Sequence, residues 1–105
     1  MAYPMVRAAA AQIEPVWLDA EASIDKAVST IEDAADRGVE LLVFPEVFIP
    51  GYPWWIWHGP FSYAVRFVSK YHANSIERDG PEIRRLARAA RDNRVVLVVG
   101  FSEYD

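Results

Sequence analysis

A chain of 105 residues with no cysteine excludes a disulfide framework, a thiolate metal site and a cysteine nucleophile supplied from within it. Eleven Lys and Arg against fifteen Asp and Glu give a net charge of −4, which leaves no basic surplus to neutralise phosphates and argues against nucleic acid as the main partner. With 52% hydrophobic, 25% charged and 13% aromatic residues, the composition is that of a folded globular chain rather than a disordered one.

The first apolar segment, Val6–Ile13, lies between Pro4 and Pro15, and its shortness predicts a buried strand despite its alanines. Asp19 stands where an N-cap is wanted, and Glu21 follows in the first turn to complement the helix dipole. Ile24, Ala27, Val28, Ile31 and Ala35 then recur at helical spacing, and Gly38 is placed to end that helix as its C′ residue. Val39–Phe44, apolar apart from Glu40 and closed by Pro45, predicts a strand covered on both faces. A second helix is predicted over 61–72, and Gly80-Pro81 opens a third. Ile83, Leu86, Ala87 and Ala90 make the third helix's buried face, and Asn93 is expected to stop it in a left-handed conformation. Val95–Val99 is the last strand, running into Gly100.

Strands separated by helices in this way predict parallel strands joined by crossovers, in one continuous α/β unit spanning residues 1–105. No covering helix follows the final strand, so the chain is expected to be incomplete or dependent on a partner. The longest apolar runs fall far short of the about 20 residues a spanning helix needs. Met1–Met5 carries no basic cluster leading into an apolar run. A soluble cytoplasmic chain with no membrane partner is the expectation.

Chemistry concentrates in residues 44–60. Glu46 falls just past the carboxyl end of the second strand, the edge at which open parallel sheets gather ligands and catalytic groups. Pro45 and Pro50 stiffen the backbone around it, and its apolar neighbours would strip water from the carboxylate and fit it for proton transfer. The plain alternative is a surface glutamate that ends a strand. Tyr52, Trp54, Trp55 and Trp57 read either as the wall of a pocket for an apolar ligand or as a loop packed on the core or in a subunit interface. His58 and His72 stand apart from each other and suggest no metal cluster. Arg84, Arg85, Arg88, Arg91 and Arg94, diluted by Glu82 and Asp92, read as a solvated or ion-pairing helix face.

Several of these segments are familiar in combination. The Val6–Gln12 strand, the helix ending Arg37-Gly38, Glu40-Leu41-Leu42-Val43-Phe44-Pro45-Glu46 and Val98-Val99-Gly100-Phe101-Ser102-Glu103 together resemble the N-terminal part of the nitrilase superfamily. The continuation Val47-Phe48-Ile49-Pro50-Gly51-Tyr52-Pro53-Trp54-Trp55 is similar to the true nitrilase branch.

The resemblance implies the family's four-layer αββα sandwich, of which this chain would supply an N-terminal α/β portion in the order strand-helix-strand-helix-helix-strand. It also implies hydrolysis of carbon–nitrogen bonds without cofactor or metal, by a glutamate, a lysine and a cysteine. Glu46 matches the glutamate that serves as general base. Tyr52, Trp54, Trp55 and Trp57 match a segment near the substrate pocket, and the aromatic loop leans toward aromatic or arylaliphatic nitriles as the small-molecule substrate. Family members assemble as homo-oligomers. Lys26 and Lys70 match no catalytic motif, and no cysteine is present. The chain alone is therefore expected to lack nitrilase activity. An amidase or carbamoylase of the same superfamily is the neighbouring alternative. A non-catalytic module that docks on a complete homologue through its sheet edge is the alternative of a different class.

Overall fold

The structure, a computed structural model, describes residues 2–104. Three short parallel strands, β1 (Ala8–Ala10), β2 (Leu41–Val43) and β3 (Val96–Val98), form one sheet in the order β1-β2-β3. Regular pairing is shorter than the apolar runs that predict each strand. It continues irregularly at the carboxyl edge, where Ala11 N donates to Val43 O and Phe44 N to Val98 O. The register sets Ala9, Leu42 and Leu97 side by side.

Those three residues face the helix layer. The crossover helix α1 (Ala20–Asp36) buries Ile24, Ala27 and Ile31, and lies alongside α3 (Pro81–Asp92), which contributes Leu86 and Ala89. On α3 the expectation needs correcting, because Ala89 is buried whereas Ala87 is exposed. The opposite face of the sheet is open: Val96 and Val98 are 66% and 50% exposed, and Val43 is also exposed. The expectation that β2 is covered on both faces therefore fails among the described residues. They supply one helix layer and one sheet, and nothing in them lies over the second face.

Local chemistry accounts for the helix ends. Asp19 caps α1, its Oδ1 accepting from Ala22 N at 3.0 Å, and Asn74 Oδ1 accepts from Ala20 N at 3.0 Å. At the other end Gly38, with φ 80°, is the left-handed C′ residue: Gly38 N donates to Ala35 O and Val39 N to Ala34 O. At the end of α3, however, Asn93 has φ −99°, and the left-handed residue is Arg94 at φ 55°. Asn93 is the C-cap instead, with both its backbone N and its side-chain Nδ2 donating to Ala89 O.

The remaining helix, α2 (Phe61–Ala73), packs mainly on a 3-10 turn, Trp54–Trp57, rather than on the sheet. The molecule is accordingly long, 57 × 27 × 23 Å. Its radius of gyration is 15.6 Å, against about 13 Å for a compact domain of this size. Phe61, Val65 and Val68 on the outer side of α2 are exposed. No helix among the described residues is long and apolar enough to cross a membrane.

Candidate active site

Glu46 stands at the carboxyl edge of the sheet, the first residue of a turn that follows β2 and Pro45. The turn, rather than strand alternation, sets its direction. Phe44 and Phe48 are both buried in the core with their rings 4.9 Å apart, whereas Glu46, two residues from each, is exposed where the chain leaves the strand path. The apolar enclosure expected around this carboxylate is thus absent among the described residues. Phe44 and Phe48 are buried in the core, and Trp55 further along packs toward α2.

The turn itself is tightly held. Val47 adopts φ 44°, a left-handed conformation that a β-branched residue takes only under constraint. Gly51 N donates to Val47 O at 3.0 Å and Ser102 N to Ile49 O at 2.8 Å, while Ile49 forms a parallel bridge with Phe101. Phe48 and Ile49 are 1% and 0% exposed, so the far side of the turn is anchored in the core.

Beside the turn the aromatic residues divide into three contacts. Trp57 Nε1 donates to the Tyr52 hydroxyl at 3.1 Å, and Trp57 is itself 72% exposed. Trp54, partly exposed, meets His58 edge-on at 5.4 Å, Phe67 at 5.9 Å and Trp17 at 6.4 Å. Trp55 is only 5% exposed, stacked on Phe67 at 5.4 Å and edge-on to Tyr71 at 5.6 Å. Tyr52, Trp54 and Trp57 therefore present surface to solvent, while Trp55 fastens the 3-10 turn to α2. Its indole Nε1 is buried without a hydrogen-bond partner.

Trp17 escaped the sequence reading. It lies in the loop after β1, beside the loop after β2: Leu18 N donates to Pro50 O, and the Trp17 ring lies against Gly51. Its position past the carboxyl end of a parallel strand, the same edge that singles out Glu46, is the signal that would have found it.

The other candidates lie elsewhere. His72 rests on Tyr104 with ring centroids 4.9 Å apart, in the lining of a cleft of about 370 Å³ that Ser75, Glu77 and Glu82 share. Lys26 Nζ donates to Glu14 O at 2.6 Å. Among the arginines of α3, Arg85 pairs with Asp25 of α1 and Arg84 donates to Asp79 O. No three His, Asp or Glu side chains come together as metal ligands among the described residues. Chemically, the carboxyl edge offers a water-accessible carboxylate carried on a firmly held turn, with a group of aromatic rings on the loop that follows it.

The chain is similar to an aliphatic nitrilase of Rhodococcus rhodochrous, 54% identical over 101 residues that make up 95% of this chain and 26% of that protein. It is 44% identical over 99 residues to a cyanide hydratase of Stereum hirsutum, covering 94% of this chain and 27% of the relative. To an arylacetonitrilase of Aspergillus oryzae it is 46% identical over 98 residues, 93% of this chain and 29% of the relative. The chain thus spans little more than a quarter of the length of these relatives. The carbon-nitrogen hydrolase family matches it from residue 7 to residue 105, nearly end to end, and the chain belongs to that family.

Proposed function

We propose that this chain is the base-bearing portion of a nitrilase, an enzyme that converts a nitrile to a carboxylic acid and ammonia, with Glu46 as general base. The observation that carries the reading is the constrained turn. A carboxylate placed at the carboxyl edge of a parallel sheet, directly before a β-branched residue at φ 44°, occupies a site where strain is kept for function.

In the reaction the cysteine thiol, which this chain does not contain, gives its proton to Glu46 and attacks the nitrile carbon to form a thioimidate. Glu46 passes that proton to the nitrile nitrogen, then takes a proton from an attacking water and delivers it to the nitrogen of the tetrahedral centre. The hydroxyl's remaining proton follows as ammonia leaves to give a thioester, and a second water, deprotonated by Glu46, releases the acid while its proton returns to the thiolate. A lysine stabilises the charge that develops at the tetrahedral centre. Both the lysine and the cysteine come from outside these 105 residues, so this chain by itself turns over no nitrile. Tyr52, Trp54 and Trp57 form one wall of the substrate pocket, and Trp55 holds that wall on α2. The complete enzyme works as a cytoplasmic homo-oligomer without metal or cofactor.

Aliphatic nitriles, rather than the aromatic or arylaliphatic ones toward which the aromatic loop leans, are the preferred substrates in this reading, because the relatives at 54% and 50% identity are named aliphatic nitrilases. The amidase alternative is the weaker one, since the relatives are named nitrilases and cyanide hydratases. The open sheet face and exposed β3 favour the second reading, a docking module.

A chimera in which this chain replaces the matching 101 residues of the Rhodococcus rhodochrous aliphatic nitrilase tests the assignment. Hydrolysis of an aliphatic nitrile in preference to the corresponding amide supports it. Turnover of the amide alone would overturn it.

A further inference from the structure

We infer that Gly100 is the positioning residue for Glu46: it leaves room for the turn that aims the carboxylate, and any side chain there pushes the turn aside. The inference rests on the reading of Glu46 as general base and concerns what holds that base in place.

Gly100 follows β3, on the strand neighbouring β2. Its backbone does not explain why it is glycine, because the left-handed glycines are Gly38, Gly51 and Gly59. Space does. A Cβ on Gly100 would lie 2.8 Å from Val47 N, 3.4 Å from Pro45 O and 3.6 Å from the Glu46 carbonyl carbon. All three are backbone atoms of the turn, so no side-chain rotation can relieve the crowding. The chain from Pro45 to Val47 therefore lies directly across the bare face of Gly100.

The turn cannot retreat as a unit. Phe48 and Ile49 are buried beyond it, Ser102 N holds Ile49 O at 2.8 Å, and Ile49 N reaches Gly100 O at 3.4 Å. Val47 already sits in a strained conformation, and Gly51 N holds its carbonyl. A displacement forced at residue 100 must fall on Pro45, Glu46 and Val47, the segment that fixes where the carboxylate points. Misplacing a reacting group by about 1 Å costs on the order of 100-fold in rate.

Two measurements test this. In the chimera, Gly100→Ala is expected to lower kcat by at least about tenfold with KM unchanged within about twofold. Gly80→Ala is the control: it crowds the turn before α3, where Glu77 O lies 3.1 Å from the added Cβ, and is expected to leave kcat unchanged. A Gly100→Ala enzyme with undiminished kcat, or an equal fall with Gly80→Ala, would overturn the inference. In the 105-residue chain, Gly100→Ala is expected to shift the amide resonances of Glu46 and Val47 while those of α1 stay in place; unshifted resonances at Glu46 and Val47 would overturn it without reference to activity. Failure of the underlying reading looks different, since Glu46→Gln would then retain turnover whatever residue 100 does.

Discussion

Gly38 and Arg94 hold the same position in the same motif, the left-handed residue that ends a helix just ahead of a strand. After α1, Gly38 N donates to Ala35 O and Val39 N to Ala34 O; after α3, Arg94 N donates to Arg91 O and Val95 N to Ala90 O. One helix ends on glycine, which takes φ 80° without strain, and the other on arginine at φ 55°.

Replacing the arginine should therefore stabilise the protein. Left-handed backbone costs a residue with a Cβ about 1–2 kcal/mol, and glycine's extra unfolded-state freedom takes back about 0.5–1 kcal/mol. Arg94→Gly is expected to raise the unfolding free energy by roughly 0.5–1 kcal/mol in urea titration. No gain, or a loss, would show that Arg94 is held by something beyond this motif.

Gly51 should tolerate nothing larger. At φ 119° it lies outside the range of L side chains, and an added Cβ would sit 2.5 Å from Trp17 Cε3. Gly51→Ala is expected to destabilise by more than about 2 kcal/mol and to shift tryptophan fluorescence as Trp17 is driven off the loop. Wild-type emission and stability would mean the two loops do not clasp in this way.

Trp55 offers the reverse case. Its unpartnered indole N–H forfeits about 1–3 kcal/mol of desolvation, which Trp55→Phe removes while keeping the stack on Phe67. The expected result is a change within about 1 kcal/mol for Trp55→Phe and a loss of about 3–5 kcal/mol for Trp55→Ala. Equal losses in both variants would indicate that the N–H is satisfied in solution.

These positions also mark what could be read in the sequence. Asp19, Gly38 and Pro81 act through chain neighbours, so the bounds of α1 and the start of α3 follow from local chemistry. Glu46 was recognisable because Pro45 ends a run of apolar residues. Asn93 misled because its residue type suits a left-handed stop, whereas the helix-end bonds place that conformation one residue later, on Arg94. Trp17 was invisible for a different reason: its partners, Gly51 and Trp54, are more than thirty residues away, and only the parallel pairing of β1 with β2 brings the two loops together. The open face of the sheet could not be inferred from β2's composition, since an apolar run reads alike whether or not a second layer is present.

The proposed general-base role of Glu46 is the centre of this account, and single-turnover kinetics of the chimera tests it most directly. Glu46→Gln keeps the size of the side chain and removes its ability to accept a proton, so the rate of nitrile hydrolysis should fall by about 10²–10⁴-fold while the folded state is retained. A Glu46→Gln enzyme that hydrolyses nitrile at the unsubstituted rate would contradict the account.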